Sequence, residues 1–175
     1  LAGISERMIL IPDLMPFPSS RDHIHQLLKW SSGNKLGSVV LTASDPSASQ
    51  WNQIGTVAKG SVEVDNLVGA LQNGDWFGPA IFSNRYDGID LPGNSCRLLV
   101  MSGLPSGTSN YELFRASSLF GGTTITKMLA QRIEQGIGRG ARGAGDYCVV
   151  LMIGSDLAGW IAKKANFKYL TNATR

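Results

Sequence analysis

The fold is decided by residues 135–153, which read Gln135-Gly-Ile-Gly-Arg-Gly-Ala-Arg-Gly-Ala-Gly-Asp-Tyr-Cys-Val-Val-Leu-Met-Ile153. From Tyr147 onward the stretch is a continuous apolar run, which predicts a strand buried on both faces. Apolar residues at helical spacing predict a helix over residues 123–137, so a glycine-rich turn joins this helix to the strand. Helices that alternate with fully buried strands are typical of a parallel α/β sheet.

The rest of the chain repeats this alternation. Apolar runs predict four more strands, at residues 8–12, 39–43, 79–82 and 97–101, of which 39–43 is predicted to be buried. Start signals and apolar spacing predict helices at residues 21–33, 45–54, 62–71 and 111–119, and a short one near residue 160. We therefore predict an α/β fold with a mostly parallel central sheet covered by helices on both faces. In such sheets ligands bind at the loops beyond the carboxyl ends of the strands.

For some helix residues the sequence predicts which face they occupy or which helix end they cap. The first helix is predicted to place Leu27 and Trp30 on its apolar face, together with Ile24 and Leu28. Ser44 is predicted to cap the second helix and Asp156 to cap the last one.

The composition is that of a single globular domain. The chain has 175 residues, 43% hydrophobic and 17% charged, which is enough to bury a core. Its 21 glycines predict many tight turns or backbone that approaches a ligand closely. The sequence contains no run of eighteen apolar residues, which argues against a transmembrane helix. Since it starts at Leu1 without Met or a signal segment, we expect a fragment of a longer, cytoplasmic protein.

The cysteines and histidines provide few metal ligands. Cys96 and Cys148 have apolar neighbours, so we expect buried, reduced thiols, as suits the cytoplasm, and no disulfide framework. His23 and His25 lie on a predicted surface helix and are expected to be solvated. Two cysteines and two histidines are too few to predict a zinc or iron–sulfur site.

The charge is unevenly distributed. Residues 1–126 contain eight basic and ten acidic residues, whereas residues 127–175 contain eight basic and three acidic ones. A basic C-terminal third suits a phosphate-bearing partner, either a nucleotide or a nucleic acid. A merely solvated charged surface has the same composition.

Two loop segments contain charged side chains that a simple connection between a helix and a strand does not need. Arg139 and Arg142 lie three residues apart at the end of the predicted helix, one turn after Gln135, so their guanidinium groups could bind an anion together. A glycine-rich turn with two solvated arginines explains the same pattern equally well. The loop that contains Asp87, Gly88 and Asp90 offers a carboxylate that suits ribose hydroxyls, although a local Asx turn is the commoner explanation.

Together, in this order, the segments resemble motifs of superfamily-two helicases. Gln135-x-x-Gly138-Arg139-x-x-Arg142 resembles motif VI, Gly88-Ile-Asp90-Leu-Pro92 resembles motif V, and Val39-Val-Leu-Thr-Ala-Ser44 stands where the motif IV strand would be. Within the superfamily, the segments that begin at Asn84 and Cys96 are most similar to the DEAD/DEAH-type helicases near the XPD/DinG group. The resemblance covers roughly residues 5–160.

The resemblance implies that residues 1–175 are the C-terminal lobe of such a helicase, with a RecA-like three-layer α/β/α fold. Arg139 and Arg142 would then be arginine fingers on the γ-phosphate of ATP, and Gln135 would position the attacking water or the γ-phosphate. In the nucleotide site, Asp90 would hydrogen-bond the ribose, with Gly88 and Gly138 allowing close approach. The residues implied in contacting the nucleic-acid backbone are Ser44, Asn84 and Arg85.

The sequence lacks the parts that hold most of the nucleotide. Neither a G-x-x-x-x-G-K-[ST] phosphate loop nor a D-E-A-D or D-E-A-H quartet occurs. The N-terminal lobe of the same chain would therefore bind most of the ATP and its Mg²⁺, with no metal held here, and the isolated domain is predicted to be inactive as an ATP hydrolase. The expected partners are nucleic acid, DNA in preference to RNA, and that N-terminal lobe; no membrane is expected.

Two other interpretations stay open. The chain could be a non-catalytic helicase-like module that binds nucleic acid or protein, or an unrelated doubly wound nucleotide-binding domain. A pure binding module would not need Gln135 on the same helix face as two arginines, so this arrangement favours a motor. The lack of a G-x-G-x-x-G segment after the first strand argues against the unrelated domain.

Overall fold

The central feature of the fold is a six-stranded sheet in which every strand pair is parallel. The computed structural model describes residues 6–16, 20–86, 88–105, 122–140 and 145–175. The strands are β1 (Glu6–Leu10), β2 (Ser38–Thr42), β3 (Thr56–Val57), β4 (Ala80–Ser83), β5 (Leu98–Ser102) and β6 (Tyr147–Ile153), in the spatial order β1-β6-β5-β2-β4-β3. The predicted parallel sheet is confirmed.

Helices connect these strands. They are α1 (Arg21–Gly33), α2 (Asp45–Ser49), α3 (Gly60–Asn73), α4 (Gly122–Ile137), α5 (Ser155–Ala162) and α6 (Lys164–Phe167). Single turns of 3₁₀ helix cover Pro12–Leu14 and Gly93–Ser95. The helix predicted over residues 111–119 lies outside the described residues.

Both faces of the sheet are covered, because side chains alternate along each strand. On one face Leu41, Leu99 and Met152 belong to a core that includes residues of α3, α4 and α5. On the other face Val40 and Val100 pack in a second core with residues of α1 and with Ala48 of α2. The result is the three-layer arrangement that the sequence predicts.

Five details differ from the prediction. His25 was expected to be solvated, but its ring packs 5.5 Å from the buried Trp51 ring, and desolvation lowers the pKa of its imidazole. Leu27 and Trp30 are exposed rather than on the apolar face of α1, whose buried side chains are Ile24 and Leu28. α2 ends at Ser49, so Trp51 lies beyond the helix, although it is fully buried. The short edge strand β3 was not predicted, since two residues give no periodicity. Asp156 lies inside the first turn of α5, where Gly154 occupies the N-cap position.

Other local predictions are confirmed. The side chain of Ser20 accepts a hydrogen bond from the His23 backbone N–H at the start of α1, and Ser44 caps α2 in the same way through Ser47. Cys96 and Cys148 are buried free cysteines.

In the described part of the chain no helix is both long and apolar enough to span a membrane.

Candidate functional site

A shallow groove opens at the carboxyl edge of the sheet, between the ends of β2 and β4. These strands are neighbours with Thr42 opposite Ser83, so the residues that follow them meet at the same edge. The groove has a volume of about 510 Å³ and is lined by Ala43, Ser44, Asp45, Pro46, Ser83, Asn84 and Arg85. It thus brings together Ser44, Asn84 and Arg85, which were singled out from distant parts of the sequence. We call it the edge groove.

The walls of the edge groove are held by local hydrogen bonds. Ser44 Oγ accepts from Ser47 N at 3.4 Å and is 3.0 Å from Ser47 Oγ. Asn84 has a left-handed backbone, with φ of 50°, and its N–H donates to Thr42 O at 2.8 Å. The Asn84 side chain accepts from Arg132 Nη1 at 3.4 Å, which joins the groove to α4.

The loop that leaves the groove carries the predicted ribose-binding residues. Within this loop the side chains of Tyr86, Ile89 and Leu91 are buried, whereas Gly88 and Asp90 are exposed. Gly88 has φ of 75°, a conformation that glycine adopts without strain. From α3, Gln72 Nε2 donates to the backbone oxygen of Asp90 at 2.7 Å, which attaches this part of the loop to α3.

Arg139 lies against this loop rather than in open solvent. Its Nε donates to Tyr86 O at 2.9 Å and to Gln135 O at 3.1 Å, and its Nη1 donates to Ile89 O at 2.7 Å. Arg139 therefore connects the end of α4 to the loop that begins in the edge groove. Gln135, one turn earlier, is half-buried.

Glycines at the end of α4 allow this close packing. A Cβ at Gly136 would collide with Met101 Cε and come within 3.2 Å of Tyr86 Cδ1. A Cβ at Gly140 would collide with Cys148 Sγ and lie 3.0 Å from Cys148 Cβ. Gly138 has a helical contact instead, since its N–H donates to Glu134 O at 2.9 Å.

Two residues that the sequence singled out, Asp87 and Arg142, lie outside the described residues. The other predicted site residues fall into two groups joined by the loop of residues 84–91. Ser44, Asn84 and Arg85 lie at the edge groove, and Arg139 contacts Gln135 near the end of α4. Sequence reasoning missed two contacts of the site. The carbonyl group of Tyr86 accepts from Arg139, and Arg132 donates to Asn84; both contacts join segments that are about 50 residues apart in the sequence.

The buried titratable groups near the site are held in their neutral forms. Burial raises the pKa of the Tyr86 hydroxyl, and its oxygen has no hydrogen-bond partner. A hydrogen bond with Cys148, together with burial, raises the pKa of the Cys96 thiol well above its ordinary value. Neither group is suited to acid–base or nucleophilic chemistry at neutral pH.

No metal-binding cluster of three His, Cys, Asp or Glu side chains is found among the residues that the structure describes. The described part of the site combines the half-buried Arg139 guanidinium, which loop and helix carbonyl groups hold in place, with loop backbone and an exposed carboxylate at Asp90. Such groups can bind phosphate and ribose hydroxyls.

Comparisons with known proteins identify the architecture. No protein-family profile and no curated protein matches the sequence. A solved structure described as "XPD_Helicase" superposes on 94% of this chain with a TM-score of 0.61 and 19% sequence identity. A second, described as "XPD_APO", superposes on 98% of it with a TM-score of 0.60 and 18% identity. The chain has the fold of an XPD helicase domain.

The XPD likeness covers nearly the whole chain, and the predicted RecA-like α/β architecture is confirmed. The chain spans 34% and 39% of the lengths of these two XPD structures. The match therefore concerns one domain of a larger protein in each case. At this level of identity the likeness to XPD establishes the fold.

Proposed function

We propose that this chain is the second motor lobe of an ATP-dependent nucleic-acid helicase or translocase. In this proposal residues 1–175 form one helicase C-terminal domain, which works together with an N-terminal lobe of the same polypeptide. The XPD-like fold supports the proposal, and so does the similarity of the segments around Asp90 and Arg139 to helicase motifs V and VI.

The single observation that carries the proposal is the path of the loop of residues 84–91. It starts in the edge groove and ends beside the guanidinium of Arg139, which donates to two of its carbonyl groups. A motor must link its grip on nucleic acid to the state of its ATP, and this loop is one short segment that contacts both proposed regions.

On the ATP side, Arg139 and Arg142 act as arginine fingers on the γ-phosphate. Arginine fingers stabilise the charge that develops during phosphoryl transfer and accelerate GTPases by about 10³–10⁵-fold. Gln135 positions the attacking water or the γ-phosphate. Asp90 bonds the ribose, and Gly88 and Gly138 let backbone approach the nucleotide.

In this proposal the N-terminal lobe would bind most of the ATP and would hold the Mg²⁺ ion. Mg²⁺ neutralises the phosphate oxygens when it is bound there. The residues of this chain contribute positive charge from the opposite side of the cleft. An isolated 175-residue chain consequently hydrolyses no ATP.

On the nucleic-acid side, Ser44, Asn84 and Arg85 contact the backbone of one strand in the edge groove. Serine hydroxyls, asparagine amides and arginines are ordinary phosphate-binding groups, and they carry no sequence information. Binding is therefore sequence-independent and weakens as salt rises. We expect the bound nucleic acid to be DNA rather than RNA.

The experiment is steady-state ATP turnover by the full-length parent polypeptide, with and without single-stranded DNA or RNA, beside the isolated 175-residue chain. We expect turnover that nucleic acid stimulates in the parent and none in the isolated chain. Replacing both Asn84 and Arg85 by alanine should raise the nucleic-acid concentration needed for half-maximal stimulation. Nucleic-acid binding without any turnover would support the alternative, a non-catalytic helicase-like module, and overturn the motor.

A further inference from the structure

The side-chain amide of Asn84 has two different ends, and only one of them suits a phosphate. The backbone of Asn84 is fixed, since its N–H donates to Thr42 O at 2.8 Å and its φ is 50°. Its side chain is exposed and lines the edge groove. The amide offers an acceptor at Oδ1 and two donors at Nδ2, so turning it end for end replaces a group that repels phosphate by one that binds it.

Arg132, on α4, fixes the orientation of this amide. Its Nη1 donates to Asn84 Oδ1 at 3.4 Å. A guanidinium group contains only donors, so it pairs with the oxygen of the amide and never with its nitrogen. The hydrogen bond therefore holds Oδ1 toward α4 and leaves the two Nδ2 hydrogens for a ligand in the edge groove.

The guanidinium of Arg132 is itself placed by a second hydrogen bond. Arg132 is half-buried, and the same Nη1 donates at 3.4 Å to Pro105 O, three residues beyond the end of β5. Arg132 also lies three residues before Gln135, whose carbonyl group accepts from Arg139 Nε at 3.1 Å. The residue that orients Asn84 thus belongs to the helix that carries the proposed ATP-side residues.

We propose that Arg132 is a positioning residue for nucleic-acid binding, which turns the Asn84 amide so that its N–H groups face a phosphate of the bound strand. This inference rests on the proposed function, which places a nucleic-acid strand in the edge groove. Arg132 acts through Asn84 and does not itself neutralise a phosphate. Because the hydrogen bond starts on α4, one helix sets both the contact with the strand and the positions of Gln135 and Arg139.

The test is a double-mutant cycle on the full-length parent, measured as the Kd for a fluorescent single-stranded oligothymidylate or oligouridylate, whichever the wild type binds more tightly. The cycle compares wild type, Arg132→Met, Asn84→Ala and the double variant. Methionine cannot donate to the amide, so Arg132→Met should raise the Kd about three- to tenfold. In the Asn84→Ala background the same change should alter the Kd less than about 1.5-fold, because the group that Arg132 orients is gone.

Two further readouts separate positioning from direct contact with a phosphate. Losing one phosphate contact to a single strand lowers the slope of log Kd against log salt concentration by about 0.7. We expect that decrease for Arg85→Met, which removes a proposed phosphate contact, and an unchanged slope for Arg132→Met. Arg132→Lys, which can still donate to Asn84 Oδ1, should keep more affinity than Arg132→Met.

Lys29→Met is the matched control, because it removes an exposed positive charge from α1, outside the edge groove. It should change the Kd less than about 1.5-fold. Should Arg132→Met not fold, Arg132→Gln takes its place in the same cycle. Glutamine can still donate to Pro105 O, but it can pair with either end of the Asn84 amide and so leaves the amide free to turn.

The outcomes separate this inference from the proposed function. If the wild-type parent binds neither oligonucleotide, the proposed function itself fails. If the wild type binds but Asn84→Ala or Arg132→Met keeps the wild-type Kd, or the effect of Arg132→Met is equal in both backgrounds, the positioning proposal is wrong. A salt slope lowered as much by Arg132→Met as by Arg85→Met would also overturn it, because Arg132 would then contact a phosphate directly.

Discussion

At the residue scale, the candidate site depends on how closely α4 approaches the strands beneath it. Gly136 and Gly140 are the glycines near the end of α4 at which an added Cβ would collide with another side chain. The neighbour of Gly136 is the flexible end of Met101, which can move aside, whereas Gly140 meets Cys148 close to the backbone of β6. The two glycines are therefore not equivalent, and Gly140 is the stricter requirement.

Gly140→Ala should destabilise the 175-residue chain by about 1–3 kcal/mol, the usual cost of forcing extra volume into a packed interior. The matched control is Gly159→Ala, in α5, where an added Cβ meets nothing within 4 Å. That change should stabilise the chain by about 0.5–1 kcal/mol, because alanine favours a helix more than glycine does. Urea unfolding of both variants measures the difference, and equal stabilities would contradict the packing argument.

The sequence singles out candidate site residues but not the groups that they contact. Arg139 was identifiable from its spacing to Gln135 and Gly138, since the pattern is local. Its partners, the carbonyl groups of Tyr86 and Ile89, lie about 50 residues away in the sequence and have no side-chain signature. Backbone acceptors are supplied by every residue alike, so only the folded path of the loop identifies them.

At the element scale, α1 illustrates the limit of apolar spacing. Ile24, Leu27, Leu28 and Trp30 satisfy a helical pattern, yet Leu28 is fully buried while Leu27 and Trp30 are 36% and 59% exposed. A helix above a sheet buries a narrow stripe, and residues one position to the side of it remain near solvent. Spacing predicts the helix correctly but does not decide which of two adjacent leucines faces the core.

These adjacent leucines provide a direct comparison. Leu28→Ala should cost about 2–5 kcal/mol of unfolding free energy, because it leaves a cavity in the core under α1. Leu27→Ala, one residue away in the same helix, should change the unfolding free energy by less than about 0.5 kcal/mol. Chemical denaturation of the two variants checks this, and a larger loss for Leu27→Ala would mean that α1 packs on a different face.

At the scale of the whole molecule, the α/β class was predictable because five of the six strands overlap apolar runs that alternate with helical patterns in the sequence. The sixth strand, β3, has only two residues and therefore gives no apolar run in the sequence. The strand order could not be read from the sequence, since any parallel pair can be joined by a crossover helix. The order is what places β2 beside β4 and so creates the edge groove.

The proposed function needs more than this one domain. The chain spans about a third of the XPD structures that it matches. A guanidinium at the surface of one lobe accelerates hydrolysis only when a second lobe presents ATP to it. The proposed activity therefore belongs to the parent polypeptide.

The most direct test of the central claim is the single-turnover rate of ATP hydrolysis by the full-length parent with saturating single-stranded nucleic acid, for wild type and Arg142→Ala. As a finger, Arg142 acts in the transition state, so the rate should fall by about 10²-fold or more while the Kd for ATP changes only a few-fold. Lys29→Ala, which removes an exposed positive charge from α1, is the control and should leave both quantities unchanged. Equal hydrolysis rates for wild type and Arg142→Ala would contradict the assignment of this chain as the finger-bearing lobe of a motor.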